Sequence, residues 1–477
     1  MKIFSTSILI LLILLCHFLR ARENQKNRAI VLTDIENEPD DCESLVRLML
    51  YSNVIDIKGI IATTSTHMRN IVHPESIQRV IRSYGKVHNN LINHEPGFPD
   101  AKSLLKIVKQ GLPEYGMNGV GEGKDSQGSE WIIKALEEKD ERPLWICVWG
   151  GPNTLAQALY KIRRTKTEAE TKKLITKLRV YTISDQDDSA IWIRKNFPDL
   201  FYIVSPGGYE NSTWGAINQY IPGINNETVS NSWISRNIQQ NHGPLGAVYP
   251  DVAYGMEDDT PSFLSLIPNG LNVPEHPEWG GWGGRYEKYI PEYSTFNYGF
   301  TGGVPIEPES RDIWTNAIDR YEPYLFYEYG RNVRKDTIPF IGNRVTLWPW
   351  RDDFQNDFAA GMDWCTKSYK EANHPPVPAL ECPEQITVKS GDFFNLVAGG
   401  TTDPEGDNLS YLWFQYPEAG TCKKLVKFLS AENIYRVYVK DPDVDKEETV
   451  HLILRVTDKG KPPLSRYKRV IVKILPI

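Results

Sequence analysis

Between Arg28 and Val204 the chain alternates short apolar runs with stretches whose apolar residues recur every three or four positions. The runs Ala29–Thr33, Ile55–Thr63, Leu144–Trp149, Leu178–Ile183 and Phe201–Val204 are rich in Ile, Val and Leu and predict buried strands. Helical spacing predicts helices over Pro39–Ser52, with Leu45, Leu48 and Met49 on one face, and over Pro74–Tyr84, Ser129–Leu136, Thr154–Ile162 and Asp188–Asn196. Strands separated by helices require right-handed crossovers. The expected fold is therefore α/β, a mostly parallel sheet with helices on both faces. From 205 to 350 the periodicity gives way to Gly-, Pro- and Trp-rich sequence, which predicts long functional loops with a few helices.

His374-Pro375-Pro376-Val377-Pro378 interrupts the pattern and predicts a linker. Beyond it come short alternating segments: Gln385–Lys389, Phe393–Val397, Leu409–Gln415, Tyr435–Val439, Thr449–Val456 and Tyr467–Ile474. Turn signals such as Asp403-Pro404-Glu405-Gly406-Asp407 and Asp458-Lys459-Gly460 separate them, and together they predict a small all-β, immunoglobulin-like sandwich. The expected units are 1–25, 27–373 and 379–477.

Residues 1–25 combine Lys2 with the apolar stretch Ile8–Leu15, which is short for a bilayer span, and read as a secretory signal peptide. Arg20 and Arg22 occupy positions where cleavage favours small residues. Cys16 offers lipoprotein anchoring as a second reading, and an uncleaved N-terminal anchor is a third. The expected location is secreted or periplasmic, with no membrane span in the mature chain. Without Cys16 five cysteines remain, an odd count that argues against a disulfide framework. Cys382 and Cys422 share the small domain, and export permits them to pair.

The chain carries 54 Lys and Arg against 61 Asp and Glu, a net charge of −7. Residues 375–477 hold 14 acidic and 14 basic side chains and residues 1–26 carry +3, so residues 27–374 stand at −10. An acidic chain without basic runs lacks the means to neutralise phosphates, which excludes nucleic acid as a partner. Aromatic residues make up 11%, with 13 Trp and 24 Tyr, which suits either stacking on sugar rings or a large aromatic core.

Ligands of open α/β sheets bind outside the carboxyl ends of the strands. Here those ends read Thr33-Asp34-Ile35-Glu36-Asn37-Glu38-Pro39-Asp40-Asp41, Thr63-Thr64-Ser65-Thr66-His67, Trp149-Gly150-Gly151-Pro152-Asn153-Thr154 and Ser184-Asp185-Gln186-Asp187-Asp188. All four are polar and two are strongly acidic. Carboxylates this dense raise one another's pKa, and a hard cation such as Ca²⁺ offsets them. The same residues also make an ordinary helix start, with Pro39 at the first position and acids in the first turn.

Thr33-Asp34 to Asp40-Asp41 resembles the Asp-rich N-terminal signature of the nucleoside hydrolases, and Trp149–Leu159 resembles that family's Gly-Pro-Leu-Thr-Asn-Leu-Ala segment. The chain is more similar still to a group of secreted, nucleoside-hydrolase-like proteins (DUF1593-type) described as cellulose-binding. The motifs that carry this are His242–Gly246, Asp259–Leu264, Pro277–Tyr286, Gln355–Ala360 and Asp403–Trp413. The resemblance implies Asp34 as metal ligand and general base, Asp40 and Asp41 as the closing acidic pair, a carbonyl near Asn153, and Asp259 as the final metal ligand. It places Thr66 or His67 where an Asn grips the sugar, and matches the sugar-contacting Glu-Phe-Asn to Asp185-Gln186-Asp187.

Departures from the pattern bear on specificity. Leu32 stands in place of the first Asp, and the acidic loop is two residues longer, with Glu36 and Glu38. The expected activity is an exported hydrolase of glycosidic, including N-glycosidic, bonds that uses Ca²⁺-bound water. His67 or His242 would be the general acid, and Trp149 and Trp282, with Trp279, Trp348 and Trp350, are candidate stacking platforms. The alternative is a non-catalytic protein that binds cellulose or another carbohydrate on the same scaffold.

Overall fold

The computed structural model describes residues 25–221, 224–296, 299–322, 327–328, 331–332 and 339–477. The segment read as a signal peptide, with Cys16, lies outside the described residues apart from Gln25.

The large part is built on an eight-stranded sheet. Its strands are β1 (Asn27–Thr33), β2 (Ile55–Ala62), β3 (Val108–Gln110), β4 (Leu144–Val148), β5 (Leu178–Thr182), β6 (Phe201–Val204), β7 (Tyr286–Tyr289) and β8 (Ile313–Asn316), in the order β3-β2-β1-β4-β5-β6-β8-β7. All neighbours are parallel except β7 and β8, which run antiparallel at the edge. The connecting helices are α1 (Asp40–Leu50), α2 (Pro74–His94), α3 (Ala101–Lys106), α4 (Gln127–Glu137), α5 (Asn153–Thr165), α6 (Glu168–Lys177) and α7 (Ser189–Asn196), and α8 (Arg351–Asp363) follows the irregular region.

Strand alternation divides two cores. Ala29 and Val31 of β1 and Trp145 and Cys147 of β4 join one apolar cluster, while Ile30, Leu32, Ile146 and Val148 join the other. Period-two geometry sends successive side chains to opposite faces, so a strand covered on both faces is apolar throughout. The helix predicted over 74–84 runs on to His94, and α4 begins at a capping box in which the Ser126 and Ser129 hydroxyls each bond the other residue's backbone N–H.

The C-terminal part has two facing sheets. Strands β9 (Gln385–Lys389), β10 (Phe393–Val397), β11 (Ser410–Gln415), β12 (Lys427–Phe428), β13 (Arg436–Lys440), β14 (Glu448–Thr457) and β15 (Ser465–Leu475) pair as β9-β15-β14-β11 and β10-β13-β12. Trp413, Val437, Leu452 and Val470 fill the space between them. Cys382 and Cys422 are both free thiols, and Cys422 approaches the Lys424 carbonyl at 3.9 Å.

The sandwich is fastened to the large part through a common core. Tyr416, Ile453 and Tyr467 belong to the same apolar cluster as Trp282, Trp350 and Phe354. Asp353 accepts hydrogen bonds from Tyr467 Oη, from Ser465 Oγ at 3.0 Å and from Arg455 at 2.5 Å. Arg469 donates to the carbonyls of Leu271 (2.9 Å) and Gly280 (3.0 Å). Among the described residues no helix is long and apolar enough to cross a membrane.

Candidate active site

The carboxyl ends of β1, β2 and β4 are locked side by side. Thr63 N–H donates to the Thr33 carbonyl (2.8 Å), Trp149 N–H to Leu32 (2.8 Å) and Gly151 N–H to Thr64 (2.8 Å). This register brings the first and third polar strand ends together, and two glycines permit it. A Cβ on Gly150 would sit 2.6 Å from Asp34 Oδ1, and one on Gly151 would overlap Asp187 Oδ2 and approach the Thr64 carbonyl at 2.7 Å.

Asp34, just beyond β1, is buried, and its Oδ2 has no hydrogen-bond partner. Burial raises its carboxyl, against an opposing hydrogen bond from Ser65. Asp40 and Asp41 open α1. Burial pushes Asp40 up to about 7, helped by the charges of Glu38 and Asp34. Asp41 is raised well above the carboxylate range by burial and then by Asp34 and Asp40, although the Thr33 hydroxyl bonds it.

Asp259 enters from the turn before the short helix Pro261–Leu264. It is buried, its Oδ2 is also without a partner, and burial with Asp41, Asp40 and Asp34 raises it strongly. Asp40, Asp41 and Asp259 each offer a carboxylate oxygen, all within 4.8 Å of one another. Three carboxylate oxygens this close fit a cation, since buried like charges are costly unless an opposite charge compensates them.

These groups line a cavity of about 450 Å³ together with Asn37, Glu38, His67, Trp149, Ser184, Gln186, Tyr209, Trp214, Asp258, Phe300 and Arg344. Ser184 Oγ, Gln186 Oε1 and Trp214 Nε1 are buried there without partners, a donor and acceptor set facing the same space. His67 Nε2 lies 3.2 Å from Tyr209 Oη, and its ring stacks on Phe300. Tyr254 stands at the mouth, 94% exposed, at the centre of a tight turn closed by Gly255 N–H on the Ala253 carbonyl (2.8 Å).

A second layer holds the acidic loop. Arg47 of α1 pairs with Glu257 (2.5 Å), Tyr249 Oη donates to Glu257 (2.8 Å), and Glu257 N–H donates to Glu43 (2.9 Å). Burial pushes Glu43 up to about 9, with Glu257 adding to it. This network fixes the turn carrying Asp258 and Asp259 against α1.

Of the residues singled out from the sequence, Asp34, Asp40, Asp41, Asp259, His67 and Trp149 line the cavity. Trp149 is fully buried; it donates from Nε1 to Ser262 Oγ (2.8 Å) and receives Gln186 Nε2 on its carbonyl (2.6 Å). Asn153 and Asp187 hold the loop: Asn153 N–H donates to Asp187 (3.3 Å), and the Asn153 side chain is spent on Thr63, Thr64 and Glu114. Thr66 Oγ1 bonds the Gly302 carbonyl (2.6 Å) behind His67.

Three candidates are placed elsewhere. Asp185 forms a bidentate ion pair with Arg194 (2.7 and 2.8 Å), which leaves little of it for a sugar. His242 Nε2 is held by Asp363 (3.2 Å) beside α8. Trp282 is fully buried between the large part and the sandwich, edge-on to Phe354 and Tyr467, because apolar burial at the domain junction claims it. Trp350 lies in the same junction, and Trp279 stacks on His276. Trp214, Asp258, Tyr254 and the Glu43–Glu257 pair escaped the sequence reading. They sit in aperiodic sequence or inside a helix, and only the fold shows which of its many polar residues face the cavity.

The structure defines an α/β protein with a mostly parallel sheet and an acidic cavity at its carboxyl edge, followed by a C-terminal all-β domain. Residues 28–286 match the family model described as "Cellulose-binding Sde182, nucleoside hydrolase-like domain", and residues 393–474 match "Cellulose-binding protein Sde0182, C-terminal domain"; the chain belongs to this family. Among solved structures it is similar to a nucleoside hydrolase-related hypothetical protein from Saccharophagus degradans, described as associated with carbohydrate metabolism. The two share 33% identity over 94% of this chain and 100% of that one, with a TM-score of 0.77. The effector protein XOO4466 (10% identity, 74% of this chain and 98% of that chain, TM-score 0.31) and the type III effector XopQ complexed with adenosine diphosphate ribose (12%, 54% and 72%, 0.27) are remote. No curated protein sequence matches.

Proposed function

We propose that the chain is an exported hydrolase of glycosidic bonds that acts on a carbohydrate or nucleoside-like ligand with the aid of Ca²⁺. The observation that carries this reading is the convergence of Asp34, Asp40, Asp41 and Asp259 on one cavity, with unpartnered oxygens on Asp34 and Asp259. Oxygen-only donors and several carboxylates suit Ca²⁺. Asp40, Asp41 and Asp259 would hold it, with Asp34 beside them; when bound, it would orient sugar hydroxyls and acidify a water.

The residues of the chain do the rest. Asp34 offers Oδ2 to accept a proton from the attacking water. Glu38, lining the same cavity, supplies negative charge for an oxocarbenium-like transition state. His67, coupled to Tyr209, stands toward the mouth, where a leaving oxygen needs a proton. Phe300, exposed at the cavity, offers apolar wall to a ring.

The test is product release from a panel of cello-oligosaccharides, other plant oligosaccharides and nucleosides, with chelator-treated and Ca²⁺-restored protein. Activity that requires Ca²⁺ and falls at least about 100-fold in Asp34→Asn is expected for a general base. Activity unchanged by either treatment refutes the mechanism. A second reading, a non-catalytic binder of cellulose, is favoured by the family description. It predicts retention on insoluble cellulose with no product from any member of the panel.

A further inference from the structure

The segment from Ala253 to Asp259 holds two non-glycine residues in the left-handed backbone region, Tyr254 at φ +66° and Glu257 at φ +53°. A residue with a Cβ adopts this conformation at a cost, and keeps it only where its surroundings impose it. Glu257 is imposed by its bonds to Arg47 and Tyr249. Tyr254 is different: its ring is 94% exposed, so packing within the chain does not offset the strain.

The turn is nevertheless firmly held. Asn218 Nδ2 donates to Asp258 Oδ1 (2.5 Å) and to the Met256 carbonyl (3.4 Å). A Cβ on Gly255 would overlap Asp258 Oδ2 and lie 2.6 Å from Asn218 Nδ2, so the turn closes only with glycine there. One short segment thus delivers Asp259 to the acidic cluster and Tyr254 to the mouth of the same cavity. Five residues span at most about 18 Å, which bounds the separation of the two backbones.

Polar groups wait beside the ring. Trp214 is 6% exposed and its Nε1 has no partner, and Gln219 Oε1 is likewise buried and unpartnered. Both residues flank Asn218 in sequence and line the cavity with Tyr254. A spare donor and a spare acceptor next to an aromatic face suit a pyranose, whose hydroxyls donate and accept while its C–H face stacks. The other exposed ring, Phe300, belongs to a separate segment packed on His67 and Tyr209. A nucleoside carries one flat ring beyond its sugar and would leave one platform empty, whereas linked sugars cover both. The acid-rich cavity favours a neutral chain over an anionic one.

We propose that Tyr254, with Trp214 and Gln219, forms a second sugar-binding subsite at the mouth of the acid cavity, and that the ligand is a neutral oligosaccharide of two or more linked pyranose rings. This rests on the carbohydrate reading of the cavity and not on catalysis. The strained turn fixes the ring before the ligand arrives, which spares binding the cost of ordering it.

The test is calorimetric titration of the full chain at saturating Ca²⁺, in an Asp34→Asn background so that no ligand is consumed. The probes are glucan, xylan and mannan oligosaccharides of one to six rings, with inosine and adenosine. Tyr254→Gly is the informative variant, because glycine takes φ +66° without strain and only the ring is lost. The parent should bind an oligosaccharide with affinity that rises beyond one ring. Tyr254→Gly should weaken the longer chains by about threefold to tenfold and leave the single sugar unchanged, while Tyr254→Phe keeps the parental affinity. The proposal is overturned if the parent binds none of the oligosaccharides, if it binds a nucleoside more tightly than all of them, if Tyr254→Gly equals the parent, or if Tyr254→Phe loses as much as Tyr254→Gly. Failure of the hydrolase reading is separable: chain binding that depends on Tyr254, with no product released by the wild type, refutes catalysis and leaves the subsite standing.

Discussion

Gly150→Ala changes one hydrogen to a methyl group at the point where β4 passes β1. The new Cβ would lie 2.6 Å from Asp34 Oδ1 and 2.9 Å from both the Cβ and Cγ of Asp34. Carbon atoms at rest sit about 3.5–4.0 Å apart, so Asp34 or its strand must retreat by roughly 1 Å. Asp34 cannot rotate freely, since it is buried and bounded by Asp40, Asp41 and Asp259. Nor can the strand slide cheaply, because Trp149 N–H and Gly150 N–H both bond the Leu32 carbonyl, at 2.8 and 3.4 Å. Overpacking of this kind costs about 1–3 kcal/mol. A displacement of about 1 Å at a general base costs on the order of 100-fold in rate. The assays are guanidinium unfolding with and without Ca²⁺, and turnover on whichever oligosaccharide the panel identifies. The account expects a loss of stability in that range, weaker Ca²⁺ binding and a lower kcat with little change in KM. A variant equal to wild type in stability and Ca²⁺ affinity would refute the argument that Gly150 is small to make room for Asp34.

Trp282→Ala should destabilise the chain by about 3–5 kcal/mol, the range for a large aromatic removed from a core, while the affinity for carbohydrate, measured by calorimetry under native conditions, stays unchanged; a selective loss of sugar binding would contradict its junction role. His451 is buried, and its Nδ1 accepts from Arg469 (3.0 Å); burial, then the Arg469 charge, pushes it down to about 3 from an unfolded value near 6.5. The unfolded chain therefore binds the extra proton between those values. The contribution of His451 is whole above pH 6.5 and is lost as pH falls, by about 2 kcal/mol at pH 5. Guanidinium unfolding of His451→Gln at pH 7 and 5 should show a difference between the two pH values smaller than that of wild type by this amount, and equal differences would exclude the assignment.

Much of the scaffold was legible because strands buried on both faces must be apolar throughout. Ile30, Leu32, Ile146 and Val148 face one core and their neighbours the other, and that leaves an unbroken signature in sequence. The acidic strand ends could be read for the same reason: Asp34, Asp40 and Asp41 interrupt apolar runs exactly where a parallel sheet delivers its ligands. What stayed hidden depends on long-range packing. Trp282 and Trp350 have the composition of sugar platforms, yet the docking of β15 with Tyr467 turns them into core. Asp185 looks like a sugar contact until Arg194, nine residues on in α7, claims both its oxygens. Glu43 is one more acid in a helix until Glu257 arrives from more than two hundred residues away.

The measurement that bears most directly on the central claim is anomalous diffraction from crystals of the protein grown with Ca²⁺. A peak about 2.3–2.6 Å from carboxylate oxygens of Asp40, Asp41 and Asp259, with Asp34 facing it, is the result the account predicts. Crystals with Ca²⁺ at hand but no peak among those carboxylates, their oxygens instead hydrogen-bonded to one another, would contradict it.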